Sequence, residues 1–196
     1  MKAAIDEASI ATLFTDARTH NKWQNKTVED TILKKVHEVC RMGPTSANCC
    51  PMRIIFVKSA DARERLRPSI AEGNLEKTMT APVTAILAND FEFYEKLPQL
   101  FPHADARSWF VGNEELIKET AKTNGTLQAA YFMITARAFG LDCGPMAGFD
   151  KEKVNQEFFS GTSIRANFLC NLGYGDPEGL HPRSPRFTFD EVCSII

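Results

Sequence analysis

The chain has 196 residues, 43% of them hydrophobic, with a net charge of −2 and a pI near 6.1. This length and apolar content suit one globular domain over residues 1–196. The scattered basic residues argue against a nucleic-acid partner, which favours a basic face. No apolar run approaches the roughly 20 residues of a membrane span, and Met1 to Asp16 does not read as a secretion signal, so a cytoplasmic protein is expected.

The N-terminal segment to Ala17 reads as a helix running into a polar stretch, Arg18 to Trp23. A second helix begins at Thr27-Val28-Glu29-Asp30, a capping box with Asp in the Glu role, and stops before Gly43-Pro44. Its apolar positions are Ile32, Leu33, Val36, Val39 and Cys40. Arg53 to Lys58 is a strand rich in β-branched residues, and Asp61 to Leu66 a short helix broken by Pro68. Pro82 to Ala88 is an almost wholly apolar strand, hence central in a sheet.

Leu97 to Gly112 reads as a long loop with two prolines and Trp109, of the kind that often forms a lid. Asn113 to Phe139 is a long helix, interrupted at most by Asn124-Gly125 and stopped by Gly140. Its second half is apolar nearly all round, which places it in the domain centre or a dimer interface. A short strand to Gly144-Pro145, a helix capped by Asp150, a strand from Ile164 to Tyr174 and a small helix within Phe187–Ile196 complete the order. Without regular βαβ alternation the class is α+β.

Several chemistries are excluded or disfavoured. The cluster Gly173 to Gly179 follows a strand, but its spacing is wrong for a dinucleotide fingerprint, and no P-loop is present. The six cysteines, Cys40, Cys49, Cys50, Cys143, Cys170 and Cys193, include no C-x-x-C pair, so free buried thiols are expected. No cysteine-hydrolase signature surrounds them, and the four histidines are dispersed, with His103-Ala104-Asp105 a weak metal pair. A phosphate-bearing cofactor needs cations, and Arg18 before a helix with Arg183 and Arg186 after the last strand could supply them.

Five segments, in matching order, resemble the FMN-dependent nitroreductase family. They are Ala17 to Trp23, Pro44 to Met52, Asn74-Leu75-Glu76-Lys77 before Ala81-Pro82, Gly144 to Asp150, and Leu172-Gly173-Tyr174-Gly175 followed by Arg183 and Arg186. Phe14 to Asn21, Phe101 to Phe110 and Cys143 to Asp150 resemble more closely one subgroup, the malonic semialdehyde reductases of pyrimidine degradation. The resemblance implies a homodimeric α+β flavoprotein: a mixed or antiparallel central sheet flanked by helices, the long helix in the dimer interface, and two FMN sites between subunits. It also implies NAD(P)H as co-substrate and a ping-pong reduction of malonic semialdehyde to 3-hydroxypropionate. A broad nitro- or quinone reductase, a non-catalytic flavin-binding protein and a helical scaffold are the alternatives.

The same resemblance assigns roles. Arg18 and Thr19, with Arg183 or Arg186, would bind the FMN phosphate. His20 belongs to the same cofactor-binding stretch. Asn21, Asn74 and Lys77 would address the pyrimidine edge of the flavin, Lys77 offsetting negative charge there. Main-chain donors around Pro145, Met146, Ala147 and Gly148 would approach the hydride-bearing N5, with Gly148 allowing close approach. Pro44, Thr45, Ser46 and Asn48 would come from the other subunit, and Arg107 would receive a substrate carboxylate. Asn21 stands where the family often has Arg or Lys. Cys50 replaces the usual Gln and Met52 the usual Trp, so the substrate pocket need not suit nitroaromatics.

Overall fold

The computed structural model describes residues 3–196; Met1 and Lys2, the start of the segment read as helical, lie outside that range. The N-terminal segment forms α1 (Glu7–Ile10), with Asp6 accepting the Ser9 N–H, and continues through a π-helical turn at Ala11–Thr15. Arg18 therefore follows a helix instead of opening one.

Helix α2 (Asp30–Cys40) buries Leu33, Val36 and Cys40, while Val39 faces outward. The expected Thr27 capping box does not form, because the N-cap is Glu29 and it makes no side-chain cap bond. Val28 is wholly buried in the core, and Lys58 reaches across to donate to the Val28 carbonyl at 2.8 Å and to Asp30. Core burial and a lysine from beyond the next strand set the start of α2 in place of a local cap.

Four antiparallel strands, β1 (Met52–Val57), β2 (Val83–Asp90), β3 (Asp142–Met146) and β4 (Ile164–Gly173), lie in the order β1-β2-β4-β3. A parallel bridge from Thr19 to Cys143 makes the β3 edge mixed. Every residue of β2 is buried. Val83, Ala85 and Leu87 pack with α2 and Phe132, whereas Ile86 and Ala88 pack with Val57, Val154 and Leu169 on the other face. A strand covered on both faces has no need of polar alternation, which is why its sequence is continuously apolar.

Between β1 and β2 lie α3 (Ala60–Leu66) and α4 (Glu72–Met79), the latter not evident from its sequence. Gly73 and Asn74 are weak helix formers, so contacts from elsewhere decide it. Trp23 Nε1 and Asn171 Nδ2 donate to the Lys77 carbonyl at 3.0 and 3.1 Å, satisfying the C-terminal end of α4.

The expected loop from Leu97 to Gly112 is largely helical turns, with α5 (Leu97–Leu100) and a 3₁₀ turn at Ala106–Trp109. It has a core of its own in which Leu97, Ala106 and Phe110 enclose Phe93. The Phe93 and Phe110 rings meet edge to face at 5.0 Å.

Helix α6 (Glu114–Ala138) runs unbroken through Asn124-Gly125. A Cβ at Gly125 would lie 1.9 Å from Asn89 Oδ1, so this glycine serves a close approach to β2 and not a helix break. Only part of α6 faces the core, and Leu127 and Tyr131 remain 40% and 38% exposed. Gly140 follows with φ of 76°, as a C′ residue does. Asp150 caps α7 (Lys151–Phe158) by accepting the Lys153 N–H, and Thr188 and Glu191 form a capping box at α8 (Phe189–Val192).

Candidate functional site

The segment after the π-helical turn is pinned to β3. Thr19 bridges Cys143, and the His20 N–H donates to the Cys143 carbonyl at 3.1 Å. The C-terminal tail returns to the same segment. Arg183 Nη2 donates to the carbonyls of Thr15 and Ala17, at 2.7 and 3.3 Å, and Arg18 Nη2 donates to the carbonyl of His181. Between them opens a cavity of about 740 Å³ lined by Thr19, Asn21 and four arginines, Arg18, Arg137, Arg183 and Arg186. Among the described residues no carboxylate lines it. Concentrated guanidinium with no acidic neighbour suits a phosphate.

Asn21 and His181 also line an adjoining cavity of about 610 Å³ that contains Lys77. Lys77 Nζ donates to Asn21 Oδ1 at 3.3 Å. One helical turn earlier on α4, Asn74 Nδ2 donates to the Gly148 carbonyl at 2.9 Å, and the Ala71 N–H reaches the same oxygen at 3.2 Å. The Gly148 N–H finds no acceptor among the described residues, and both Ala147 and Gly148 are exposed. The close approach at Gly148 is intramolecular, since a Cβ there would sit 2.4 Å from Asn74 Nδ2. Pro145 lies within β3 opposite Cys170, and the Met146 side chain turns into the core, where its sulfur accepts from Thr78 Oγ1. What this stretch offers to solvent is therefore main chain at Ala147 and Gly148.

The His20 side chain departs from the cofactor-binding expectation. Its ring is buried and lines neither cavity. It lies against Gly175, with Nε2 3.4 Å from Asp142 Oδ1 and Nδ1 without a partner. Packing against the sheet end fixes the main chain between Thr19 and Asn21, the two neighbours that line the arginine cavity.

Pro44 to Asn48 forms a separate group. Thr45 Oγ1 accepts the Cys50 N–H at 3.1 Å, and the Ser46 N–H donates to Asn124 Oδ1 at 2.8 Å. Asn48 Nδ2 donates to the Leu100 carbonyl at 2.8 Å. Ala47, Asn48 and Cys50 all adopt positive φ, between 40° and 49°, an uncommon conformation for residues with a Cβ. Pro44 is exposed. Among the described residues no hydrogen bond joins this turn to the arginine cavity or to Lys77. Arg107, the expected carboxylate contact, is held in a fork by Glu95, with Nε at 2.8 Å and Nη2 at 2.7 Å from its oxygens.

Three of the buried thiols, Cys40, Cys49 and Cys170, are not poised as nucleophiles. Burial pushes Cys40 and Cys49 up to about 11, and the Cys143 side chain together with burial raises Cys170. Among the described residues no group of three metal-ligating side chains occurs and no helix is long and apolar enough to cross a membrane. Sequence reading missed Trp23, Asn171 and Arg137. The first two act through the Lys77 carbonyl; Trp23 stands in the Ala17–Trp23 segment without a role assigned to it there, and Asn171 lies outside every resembling segment. Arg137 resembles an ordinary basic residue in a last helical turn.

A four-stranded antiparallel sheet between helices, with an arginine-rich cavity beside one edge and an adjoining cavity lined by Lys22 and Lys77 together with Glu76, Asp176 and Glu178, defines an α+β ligand-binding scaffold. Residues 15–174 match the Nitroreductase family, and the chain belongs to that family of oxidoreductases. It is 57% identical over 191 residues to a Burkholderia lata protein whose name places it among NADH dehydrogenase/NAD(P)H nitroreductases; the alignment covers 97% of this chain and 98% of that one. The fold matches a Bacillus subtilis nitroreductase structure with a TM-score of 0.85 and 19% identity, over 97% of this chain and 100% of the other. It also matches a nitroreductase from Exiguobacterium sibiricum in complex with FMN, with a TM-score of 0.84 and 17% identity over 100% and 99% of the two chains.

Proposed function

We propose that the chain is an FMN-dependent NAD(P)H oxidoreductase whose second substrate is malonic semialdehyde, reduced to 3-hydroxypropionate during pyrimidine degradation in the cytoplasm. The observation that carries the cofactor is the arginine cavity, which among the described residues has no carboxylate and which shares Asn21 and His181 with the neighbouring Lys77 cavity. Bound FMN supplies hydride uptake from NAD(P)H and hydride delivery to the acceptor, in turn, at one face. The protein's part is binding, orientation and charge. Arg18, Arg183 and Arg186 hold the phosphate by charge-assisted hydrogen bonds, with Thr19 contributing its hydroxyl. Lys77, kept in place by Asn21 and by the bonds to its own carbonyl, offsets negative charge at the pyrimidine edge. Asn74 anchors the loop through the Gly148 carbonyl, and the exposed Gly148 keeps its N–H free of any acceptor among the described residues, available as a donor.

Pro44, Thr45, Ser46 and Asn48 complete the site from a second copy in a homodimer. Leu127 and Tyr131 of α6, Val39 of α2 and Met42 just after it, and Phe187, Phe189 and Val192 of the tail are exposed apolar residues that such an assembly would cover. The aldehyde follows from the resemblance carried by Phe101–Phe110 and Cys143–Asp150. Arg107 would receive its carboxylate by exchanging it for Glu95. The six free thiols suit a reducing compartment.

The test is spectroscopic. Purified protein should show flavin absorbance that NADPH or NADH bleaches, and malonic semialdehyde should restore it faster than a nitroaromatic or a quinone does. Colourless protein that takes up no FMN would sink the cofactor; faster reoxidation by quinones would make the protein a broad quinone or nitro reductase.

A further inference from the structure

The arginine cavity contains a fourth guanidinium outside the segments that resemble the family's motifs. Arg137 stands in the last turn of α6, where an arginine ordinarily serves terminal carbonyls and the helix dipole. Here its Nη1 donates to the carbonyl of Leu13, on the N-terminal arm, at 3.0 Å. Its Nε is sealed from solvent without an acceptor, and Nη2 makes no hydrogen bond among the described residues. A guanidinium has five N–H donors and keeps its charge at any ordinary pH. The buried Nε shows that the guanidinium is not fully satisfied, and an unanswered Nη2 beside three like charges, with no carboxylate among the described lining residues, is unfavourable until an anion joins it.

Charge counting gives the same direction. A phosphomonoester carries up to two negative charges near neutral pH. Arg183 and Arg186 direct hydrogen bonds to main-chain carbonyls of the arm and tail, as Arg18 does, so each has only part of its donor set left for a ligand. Resting on the FMN reading above, we propose that Arg137 is a fourth cation for the cofactor phosphate, increasing selection of the phosphorylated flavin over the uncharged one. Through Leu13 it also ties the arm that carries Arg18 and Thr19 to the end of α6.

Flavin-depleted full-length protein, titrated separately with FMN and riboflavin and followed by quenching of flavin fluorescence, tests this directly. Arg137→Gln should weaken FMN about tenfold or more, the scale of a lost charge-assisted bond, and leave riboflavin unchanged. Arg137→Lys, which keeps the charge, should recover most of the FMN affinity. Added salt should weaken FMN binding more steeply in the parent than in Arg137→Gln. Equal weakening of both flavins by either variant would make Arg137 a tether of the arm alone and overturn the proposal, as would unaltered FMN affinity in Arg137→Gln. A parent protein that binds neither flavin would overturn the cofactor reading itself, so the two failures are distinguishable.

Discussion

The arginine cavity and the Pro44–Asn48 turn are built in opposite ways. The cavity is assembled from distant parts of one chain, with the arm near Arg18, the end of α6 and the tail near Arg183 held together by guanidinium-to-carbonyl bonds. Its specificity lies in side-chain charge. The turn is local: three positive-φ residues within four positions, held by single bonds to Asn124 and Leu100, with no charged group among Pro44 to Asn48. Its contribution is backbone shape, and in one chain it makes no bond with the cavity. A site that needs both must join them by some other means, which is the physical content of the dimer proposal.

Removing charge from the cavity should have the largest effect. Arg18→Ala deletes a guanidinium and the link to the tail at His181. Losing a hydrogen-bonded charge corresponds to about 1.5–3 kcal/mol, or roughly 10- to 100-fold in FMN affinity. The check is the flavin-to-protein absorbance ratio after gel filtration, with circular dichroism to confirm the fold. Full flavin retention would show that the cavity is not the phosphate site.

The link between α4 and the loop after β3 comes next. Gly148→Ala places a methyl 2.4 Å from Asn74 Nδ2 and should cost about 1–3 kcal/mol, as overpacking does. Thermal melts should show this loss, and Asn74→Ala in the same chain should relieve most of it, because the clash and the hydrogen bond involve the same amide. Additive losses would mean that the glycine is needed for another reason.

On the side of the turn, Asn124→Ala leaves the Ser46 N–H without its acceptor and should cost about 1 kcal/mol. Hydrogen exchange should speed up at Ser46 while the core amides of β2 keep their protection. A global loss of protection would mean that the turn is integral to the core and not an adjustable surface.

What the sequence discloses follows the same division. β2 announces itself because burial on both faces forces an apolar run, and the Asp150 cap because its carboxylate bonds within one turn. Motif order points to Arg18, Lys77 and Gly148, and the structure has Arg18 lining the arginine cavity, Lys77 bonded to Asn21 and Gly148 bonded to Asn74. Helix α4 was hidden because its Gly73-Asn74 start is weakly helical and its end is satisfied by Trp23 and Asn171, 54 and 94 residues away. The helical turns within Leu97–Gly112 were hidden for a similar reason, since their stability comes from rings closing over Phe93. His20 misled because its neighbours border the site while its own ring packs inward against Gly175. Local signals survive in sequence, whereas long-range satisfaction of a carbonyl or closure of a small core does not.

The smallest expected effect concerns Arg107 and Glu95. Both are exposed, so their pair contributes little to stability, and its interest is availability. The Arg107 guanidinium, by hydrogen bond and charge, holds the Glu95 carboxyl below its usual range. A lowered carboxyl implies a pair intact above the ordinary carboxylate range and lost as pH falls through the lowered value. Near neutral pH Arg107 therefore stays engaged, and Glu95→Gln should release it. If Arg107 receives the substrate carboxylate, Glu95→Gln should lower KM for malonic semialdehyde by a few fold, the scale of one exposed ion pair, and leave KM for an uncharged quinone unchanged. The same selective fall should appear in the parent protein on acidification, limited to pH values where the aldehyde's own carboxylate remains ionised. Equal changes for both acceptors would remove Arg107 from substrate recognition and leave the segment around Phe93 a structural cover, with selectivity set by the turn and the flavin's surroundings.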